Sequence, residues 1–424
     1  MIQDRRVVIT GIGPVTSVGI GKKALFDSVI DFKPRIEPIP KHYEERYSFR
    51  SKHFVRLPQL TLAQHGIPDK YENILAYEDR MALVAAKLAI EDAAIPLRPD
   101  GPRFEAKDLS ECAVILGTGF SGLKPAFESY VTHDLSSTKS GQKHQGHYHR
   151  MVIPKTMASS VAAWLSIMFG STGESFAITA SCASGTIAIG EAFRRIKNGN
   201  TAVALTGGVE NLHDNIGAIM RGFDTLGTLE QSSDGVPLPF SERRSGFLFA
   251  EGGACVLVLE ELARARARNA PIYAEILDYQ ASSDAHNIVQ VEPSGTEIKK
   301  ILNTLSNHRQ IDYFNAHGTA TQVGDRVEAE VIVDVFGKRA KQPLVNSTKM
   351  ILGHTIGASG AIEAGVTAMS IKNSKVHGNP VPDPMTTVNL VLESVPLDIN
   401  YAISASYGFG GHNGALLLCK HDLG

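Results

Sequence analysis

Cysteine is scarce in this chain of 424 residues: Cys112, Cys182, Cys255 and Cys419 are the only four, each far from the next. That scatter suits neither a disulfide framework nor the close spacing of zinc ligands, and it points to a reducing compartment. No apolar run approaches the roughly eighteen residues that a bilayer crossing needs. The opening residues, Met1-Ile2-Gln3-Asp4-Arg5-Arg6, run straight into a strand pattern without the apolar segment of a secretion signal. A strong charge of one sign is missing too: the net charge of −2 gives no pull toward nucleic acid or an anionic membrane surface. The expectation is a cytoplasmic globular protein with no nucleic-acid or membrane partner. At this length it holds two to three average domains or one large duplicated one.

What is present is an alternation of strand and helix patterns. Arg6-Val7-Val8-Ile9-Thr10 reads as a buried strand ended by Gly11-Ile12-Gly13-Pro14, and residues 78 to 93 read as a helix. Strands follow at Ala113 to Leu116, Ala202 to Thr206 and Ala254 to Leu259, then a charged helix from Glu260 to Arg268. A new strand opens at Pro271, and the second half repeats the theme at Ile311 to Phe314, Leu344 to Asn346, Tyr401 to Ser404 and Ala415 to Leu418. Such alternation argues for a layered α/β architecture, and the restart near residue 270 for two similar halves. Residues 120 to 160 form an irregular insertion rich in Ser, Lys and His. The spacing of His133, His144, His147 and His149 fits no metal-ligand pattern, so a solvated cap is the expectation.

The most informative stretch is Ser-Phe-Ala-Ile-Thr-Ala-Ser-Cys-Ala-Ser-Gly-Thr, residues 175 to 186. An apolar run meets small residues, and helical spacing begins at Ile187, with Asn198-Gly199 as the stop. A strand-to-helix turn displays the Cys182 sulfur, and the helix N-terminus favours its anion, so a lowered thiol pKa is expected. The same residue also reads as a small packed hydrophobe. On this stretch alone the two readings stand level.

Three loops alter the balance. Asn315-Ala316-His317-Gly318-Thr319-Ala320-Thr321 follows the strand ending at Phe314. Lys349 and Gly353-His354-Thr355 follow the strand at Leu344, and Ser406-Tyr407-Gly408-Phe409-Gly410-Gly411-His412-Asn413-Gly414 lies between two strands near the C-terminus. Ligands in α/β sheets bind beyond the carboxyl ends of strands, where such loops converge. A thiolate, two imidazoles and a lysine suit thioester attack to give an acyl-enzyme. Neutral His317 and His354 would then donate hydrogen bonds to an enolate formed by decarboxylation. Backbone N–H groups of Cys182 and the C-terminal glycine-rich loop would form an oxyanion hole. No metal or redox cofactor is needed.

These residues resemble the β-ketoacyl-(acyl-carrier-protein) synthases of the thiolase superfamily, closest to the elongating type II condensing enzymes. Cys182-Ala183-Ser184-Gly185 matches the nucleophile elbow, His317-Gly318-Thr319-Ala320-Thr321 the first histidine loop, and Lys349 with Gly353-His354-Thr355 the lysine and second histidine. Gly408-Phe409-Gly410-Gly411 matches the loop whose phenylalanine is gatekeeper and oxyanion-hole donor. The resemblance covers nearly the whole chain. It implies a thiolase fold, a duplicated five-layered α/β/α/β/α sandwich with halves at 1–268 and 269–424, working as a homodimer or as a heterodimer with a synthase-like subunit. It implies an acyltransferase in which Cys182 holds an acyl chain while malonyl carrier protein is decarboxylated and condensed with it. The acyl carrier protein brings the phosphopantetheine arm, and the enzyme has no cofactor of its own. Glu363 and Asn315 support Lys349 and the histidine loop, Thr319 and Thr321 position the arm, and Phe223 and Ala126 line the acyl pocket.

Departures from the family pattern sharpen the expectation. Pro239-Phe240-Ser241-Glu242-Arg243-Arg244-Ser245-Gly246-Phe247 lacks two usual carboxylates, which puts local ion pairing in question. Tyr77-Glu78-Asp79-Arg80 lacks a basic cluster for the carrier protein, and the loop Arg221 to Gly227 lacks a docking arginine at its later position. With small Ala126 at the acyl pocket, these point to a specialised polyene or polyketide pathway rather than housekeeping fatty-acid elongation. Two other readings stay open. A chain-length-factor-like partner subunit would generally lack the cysteine, and a non-decarboxylating acyltransferase would not need two histidines.

Overall fold

A computed structural model describes residues 5–129, 150–307 and 309–421. His133, His144, His147 and His149 lie outside the described residues. Ten strands follow one path across the large sheet: Leu344–Asn346, Tyr313–Asn315, Tyr401–Gly408, His412–Cys419, Ala274–Ser283, Val7–Thr16, Gly252–Glu261, Val203–Asn211, Ala113–Gly117 and Ser175–Ile178. Gly19–Ile20 pairs with Val7–Thr16 off this path. The path reads as one five-strand array written twice. Counted inward from each end of the path, the chain-order numbers within a half run third, second, fourth, fifth, first, with the outermost three strands parallel and the rest antiparallel. The arrays meet where Val7 pairs with Ile276 and Ile9 with Ala274.

Alternation of side chains along the strands explains the layers. Cys255, Leu257 and Leu259 face a central core, while Ala254, Val256 and Val258 face an outer one with helices Tyr77–Asp92 and Ser160–Phe169. In the second half Leu416 and Leu418 join the central core. Ala415 and Leu417 face the other outer core, under helices Thr296–Ser306 and Gln322–Phe336. Helices Ser184–Lys197 and Ser359–Asn373 fill the centre with Ala188, Ile189, Ala192, Ala361, Ile362 and Ala364, packed against strands of both halves. The result is the expected duplicated five-layered α/β/α/β/α sandwich of the thiolase fold.

Several expected boundaries move, for physical reasons. Gly11-Ile12-Gly13-Pro14 does not end the first strand, which runs through Thr16 with a bulge between Ile9 and Gly11. A Cβ at Gly11 would sit 2.1 Å from the Ala89 carbonyl oxygen, and one at Gly13 1.9 Å from that of Ala85. The glycines therefore mark close approach of a helix to a strand, not a turn. Glu260 stays in its strand, and the helix after it covers only Leu262–Ala267. The next strand begins at Ala274 rather than Pro271. Most of the glycine-rich segment near the C-terminus is strand, closed by the turn Phe409–Gly411 with Gly410 and Gly411 at φ 82° and 73°. Helix Val152–Thr156 gives part of the expected irregular insertion regular structure.

Candidate active site

The four loops meet. Cys182 lies in a short 3-10 turn, Ser181–Ala183, that opens directly into helix Ser184–Lys197. Oγ of Ser184 bonds back to the Ala180 N–H (2.8 Å) and to the Ser181 carbonyl (2.7 Å), which fixes the turn. His354 Nε2 stands 3.0 Å from the Cys182 sulfur. The His317 and His354 rings are 5.6 Å apart between centroids, at 82°. One donor atom from each of the three residues lies within 4.8 Å of the others, the one such cluster among the described residues. Its donor set would suit a zinc-like ion, but the Lys349 charge acts on all three side chains and opposes a cation there.

Lys349 is buried and organises the histidine loops. Its Nζ bonds the carbonyl of His317 at 2.7 Å and forms an ion pair with the buried Glu363 carboxylate. Asn315 Nδ2 bonds the Glu363 carbonyl (3.3 Å) and Thr367 Oγ1 (3.2 Å), tying the strand end to helix Ser359–Asn373. Burial, then the Lys349 charge, pushes both His317 and His354 well below the usual imidazole range, so both rings are neutral. The Cys182 thiol departs from its expectation: burial pushes it up to about 12, against the opposing pull of Lys349 and of the Phe409 N–H. Burial here outweighs the helix N-terminus behind the turn.

A cavity of about 360 Å³ opens onto the thiol, lined among others by Cys182, His317, His354, Thr319, Thr321 and Phe409. Thr319 and Thr321 face each other, Oγ1 to Oγ1 at 3.0 Å. Beyond Phe409 the thiol joins a cluster of buried apolar side chains that includes Met220, Phe223, Phe247, Phe249 and Ile356. Phe409 borders the cavity and packs on that cluster, and Phe247 and Ile356 of the cluster line the cavity as well. The Phe223 ring centroid is 6.0 Å from those of Phe120 and Phe247 and 5.8 Å from that of Phe249.

Ala126 is the misplaced expectation. After Gly122 the chain turns helically, with the Ala126 N–H on the Gly122 carbonyl at 3.1 Å, and this carries Ala126 out to solvent. Phe120 and Leu123 pack on the thiol's cluster instead. Sequence reading also missed two carboxylates that set the loops. Glu328 accepts the N–H groups of His317 and Gly318, each at 2.8 Å, and burial raises its pKa to about 8. Glu210 accepts those of Gly119 (2.8 Å), Phe120 (3.0 Å) and Gly357 (3.1 Å), and burial raises it to about 7. An acidic residue on the helix that follows the glycine loop, ten residues after Gly318, was the available signal for Glu328.

The expected weakness at residues 239–247 is resolved by other partners. Buried Arg244 bonds the carbonyls of Ser241 (2.8 Å), Thr321 (3.1 Å) and Gln322 (2.8 Å), while Asp325 accepts the Phe240 N–H at 2.7 Å. Arg221 is engaged with Asp224 at 2.7 Å.

Comparison with known proteins matches this geometry. The family model for the β-ketoacyl synthase N-terminal domain covers residues 4–265, and that for the C-terminal domain covers residues 273–380. A protein of Staphylococcus aureus (strain COL) named 3-oxoacyl-[acyl-carrier-protein] synthase 2 is 34% identical, over 100% of both chains. Among solved structures, the ishigamide ketosynthase/chain length factor superposes with a TM-score of 0.85 at 25% identity, covering 99% of this chain and 100% of that one. A type II polyketide acyl-carrier protein in complex with its ketosynthase bound to the hexaketide gives 0.84 at 25%, covering 98% and 100%.

Proposed function

The chain belongs to the β-ketoacyl synthase family, and we propose how its own residues perform that family's condensation. It is an acyltransferase that joins an acyl group to a malonyl unit held on an acyl carrier protein, giving the 3-oxoacyl product. Synthases of this kind use no resident cofactor; the phosphopantetheine arm arrives on the carrier. The observation that carries the residue roles is the convergence of Cys182, His317 and His354 at one cavity under the Lys349 charge.

In the first half-reaction the Cys182 sulfur attacks the acyl thioester carbonyl, and the arm's thiol leaves. The N–H groups of Cys182 and Phe409 receive the carbonyl oxygen as it gains charge. In the second, malonyl carrier occupies the cavity with its arm along Thr319 and Thr321. Neutral His317 and His354 donate to the thioester oxygen while CO2 departs, so the enolate forms against two fixed dipoles rather than against water. The enolate carbon then bonds to the acyl carbonyl carbon, and the C–S bond to Cys182 breaks. Lys349 and Glu363 hold the two histidine loops in register.

The acyl chain enters the aromatic cluster of Phe223, Phe247 and Phe249 once Phe409 and Phe120 give way. The absence of a basic cluster in Tyr77-Glu78-Asp79-Arg80 and of a docking arginine at the later position of the Arg221 to Gly227 loop favours a specialised polyene or polyketide route. The relative seen with its chain length factor supports assembly as a dimer, with a second copy or with a synthase-like partner. The halves are proposed to meet at residues 268 and 269, and the protein to act in the cytoplasm; no helix among the described residues is long and apolar enough to cross a membrane. The reading is tested by incubating the protein with acyl carrier and mapping the acyl group to a peptide. Attachment at Cys182, discharged as 3-oxoacyl carrier on adding malonyl carrier, is expected; attachment elsewhere contradicts it.

A further inference from the structure

Two loops of the site are pinned to one buried carboxylate. Glu210 lies near the end of strand Val203–Asn211, out of reach of solvent. Its Oε2 accepts the N–H groups of Gly119 (2.8 Å) and Gly357 (3.1 Å), and its Oε1 accepts that of Phe120 (3.0 Å). A backbone N–H can only donate, so the direction of all three bonds is fixed. The first loop carries Phe120, which covers the thiol's apolar cluster through its edge contact with Phe223. The second carries His354, three residues before Gly357.

Missing side chains let these loops close on each other. A Cβ on Gly357 would sit 2.4 Å from the Gly119 nitrogen, and one on Gly119 would sit 2.6 Å from Glu210 Oε2. Gly208 shares a strand face with Glu210, and a Cβ there would meet the Gly357 carbonyl oxygen at 2.6 Å. Interiors packed this closely transmit displacement. Ile356, between His354 and Gly357, has φ at 47°, a left-handed conformation that a β-branched residue keeps only under constraint from outside. The bond from the Gly357 N–H to Glu210 supplies one. Ile356 also belongs to the apolar cluster and lines the cavity, so the strained turn touches the acyl side and the malonyl side together.

We propose that Glu210 is a positioning residue that makes acyl chain length count in the condensation step as well as in loading. The proposal rests on the reading of Cys182 as the acyl acceptor and of His354 as a donor to the enolate. A chain that fits beneath Phe120 leaves the Phe120 N–H on Oε1, and His354 keeps its place. A longer chain lifts Phe120, pulls on the shared carboxylate and shifts Gly357 and Ile356. His354 then moves off the malonyl thioester oxygen, and the loaded chain condenses slowly. Glu210 itself touches no reacting atom.

The test loads Cys182 of the full chain in advance with single acyl groups of increasing length. Malonyl carrier is then added for one turnover at pH 8, above the Glu210 pKa of about 7, and formation of 3-oxoacyl carrier is timed. In the wild type the rate should fall at least about fivefold beyond a threshold length. Glu210→Gln keeps the shape and one carbonyl oxygen for Gly119 and Gly357, but turns an NH2 group toward the Phe120 N–H. That loosens the lid selectively, and the fall beyond the threshold should vanish. Phe120→Ala removes the ring and keeps the N–H bond, and should abolish the fall as well; the double variant should add nothing further. No fall in the wild type, an unchanged threshold in Glu210→Gln, or slowing of every chain length alike overturns the proposal. Should Glu210→Gln not fold, a fall that persists in Phe120→Ala overturns it equally. Decarboxylation of malonyl carrier by Cys182→Gln reports on the condensing reading separately. Its absence, beside a threshold that disappears in Glu210→Gln, removes the enolate role of His354 and leaves the tie between Glu210 and the acyl pocket standing.

Discussion

Lys349 and Glu363 form an ion pair with both side chains almost fully withdrawn from solvent, 3% and 2% exposed. Lys349 supplies the compensating charge for this carboxylate, and the Ser406 hydroxyl adds a smaller contribution. Breaking such a pair from one side leaves a buried charge and typically costs about 3–5 kcal/mol. Lys349→Met should therefore lower stability by that order, and Lys349→Met/Glu363→Gln should recover much of it. Denaturant unfolding of the two single variants and the double variant measures this. Recovered stability without recovered condensation would separate the pair's structural role from its hold on the His317 carbonyl.

Gly408 backs the nucleophile turn. A Cβ there would lie 2.9 Å from the Ala180 carbonyl oxygen and 3.0 Å from the Cys182 nitrogen. Gly408→Ala should push the Phe409 turn away from Cys182 and spoil the oxyanion hole, at a cost of order 10²–10³ in acyl transfer. Acyl-enzyme formation followed by intact-mass measurement checks it, with an unchanged melting temperature as the control.

Phe120 covers the thiol's apolar cluster through its edge contact with Phe223. Phe120→Ala should admit longer acyl chains, moving the chain-length profile of acyl transfer upward. The loss in stability should be no more than about 3 kcal/mol, the low end for aromatic truncation, because the ring is only partly buried. A profile that does not move would place the chain elsewhere.

Glu328 makes a pH prediction. Its folded pKa of about 8 exceeds the ordinary 4.5, so the native state holds its proton more tightly than the unfolded chain does. Its contribution to stability is full below 4.5 and is lost as pH rises toward 8. The buried histidines, whose pKa values are lowered from 6.5, act in the opposite sense but only below that value. Between pH 6.5 and 8 the wild type should thus lose stability relative to Glu328→Gln, by up to roughly 1.4 kcal/mol per pH unit. Unfolding midpoints of both proteins across that range decide it.

The site was legible where chemistry is written in short motifs. Cys182, His317, Lys349 and His354 each follow a strand, and the fold brings those strand ends together. The duplication was legible because the pattern of strands and helices restarts near residue 270 and repeats through the second half. What escaped the sequence depends on contacts between distant segments. Gly11 and Gly13 looked like a turn because nothing local reveals the helix pressing on their strand. Ala126 looked like a pocket residue because the helical turn after Gly122 is invisible in a loop alignment. The thiol pKa was misjudged because a helix N-terminus is local, whereas complete burial is a property of the whole fold.

The most direct test of the account is Cys182→Gln, assayed with malonyl carrier and with acyl carrier side by side. If His317 and His354 stabilise the enolate and Cys182 holds the acyl chain, the variant releases CO2 from malonyl carrier and forms no 3-oxoacyl product. Loss of both activities in a folded variant, or condensation that survives without the thiol, would contradict this division of labour.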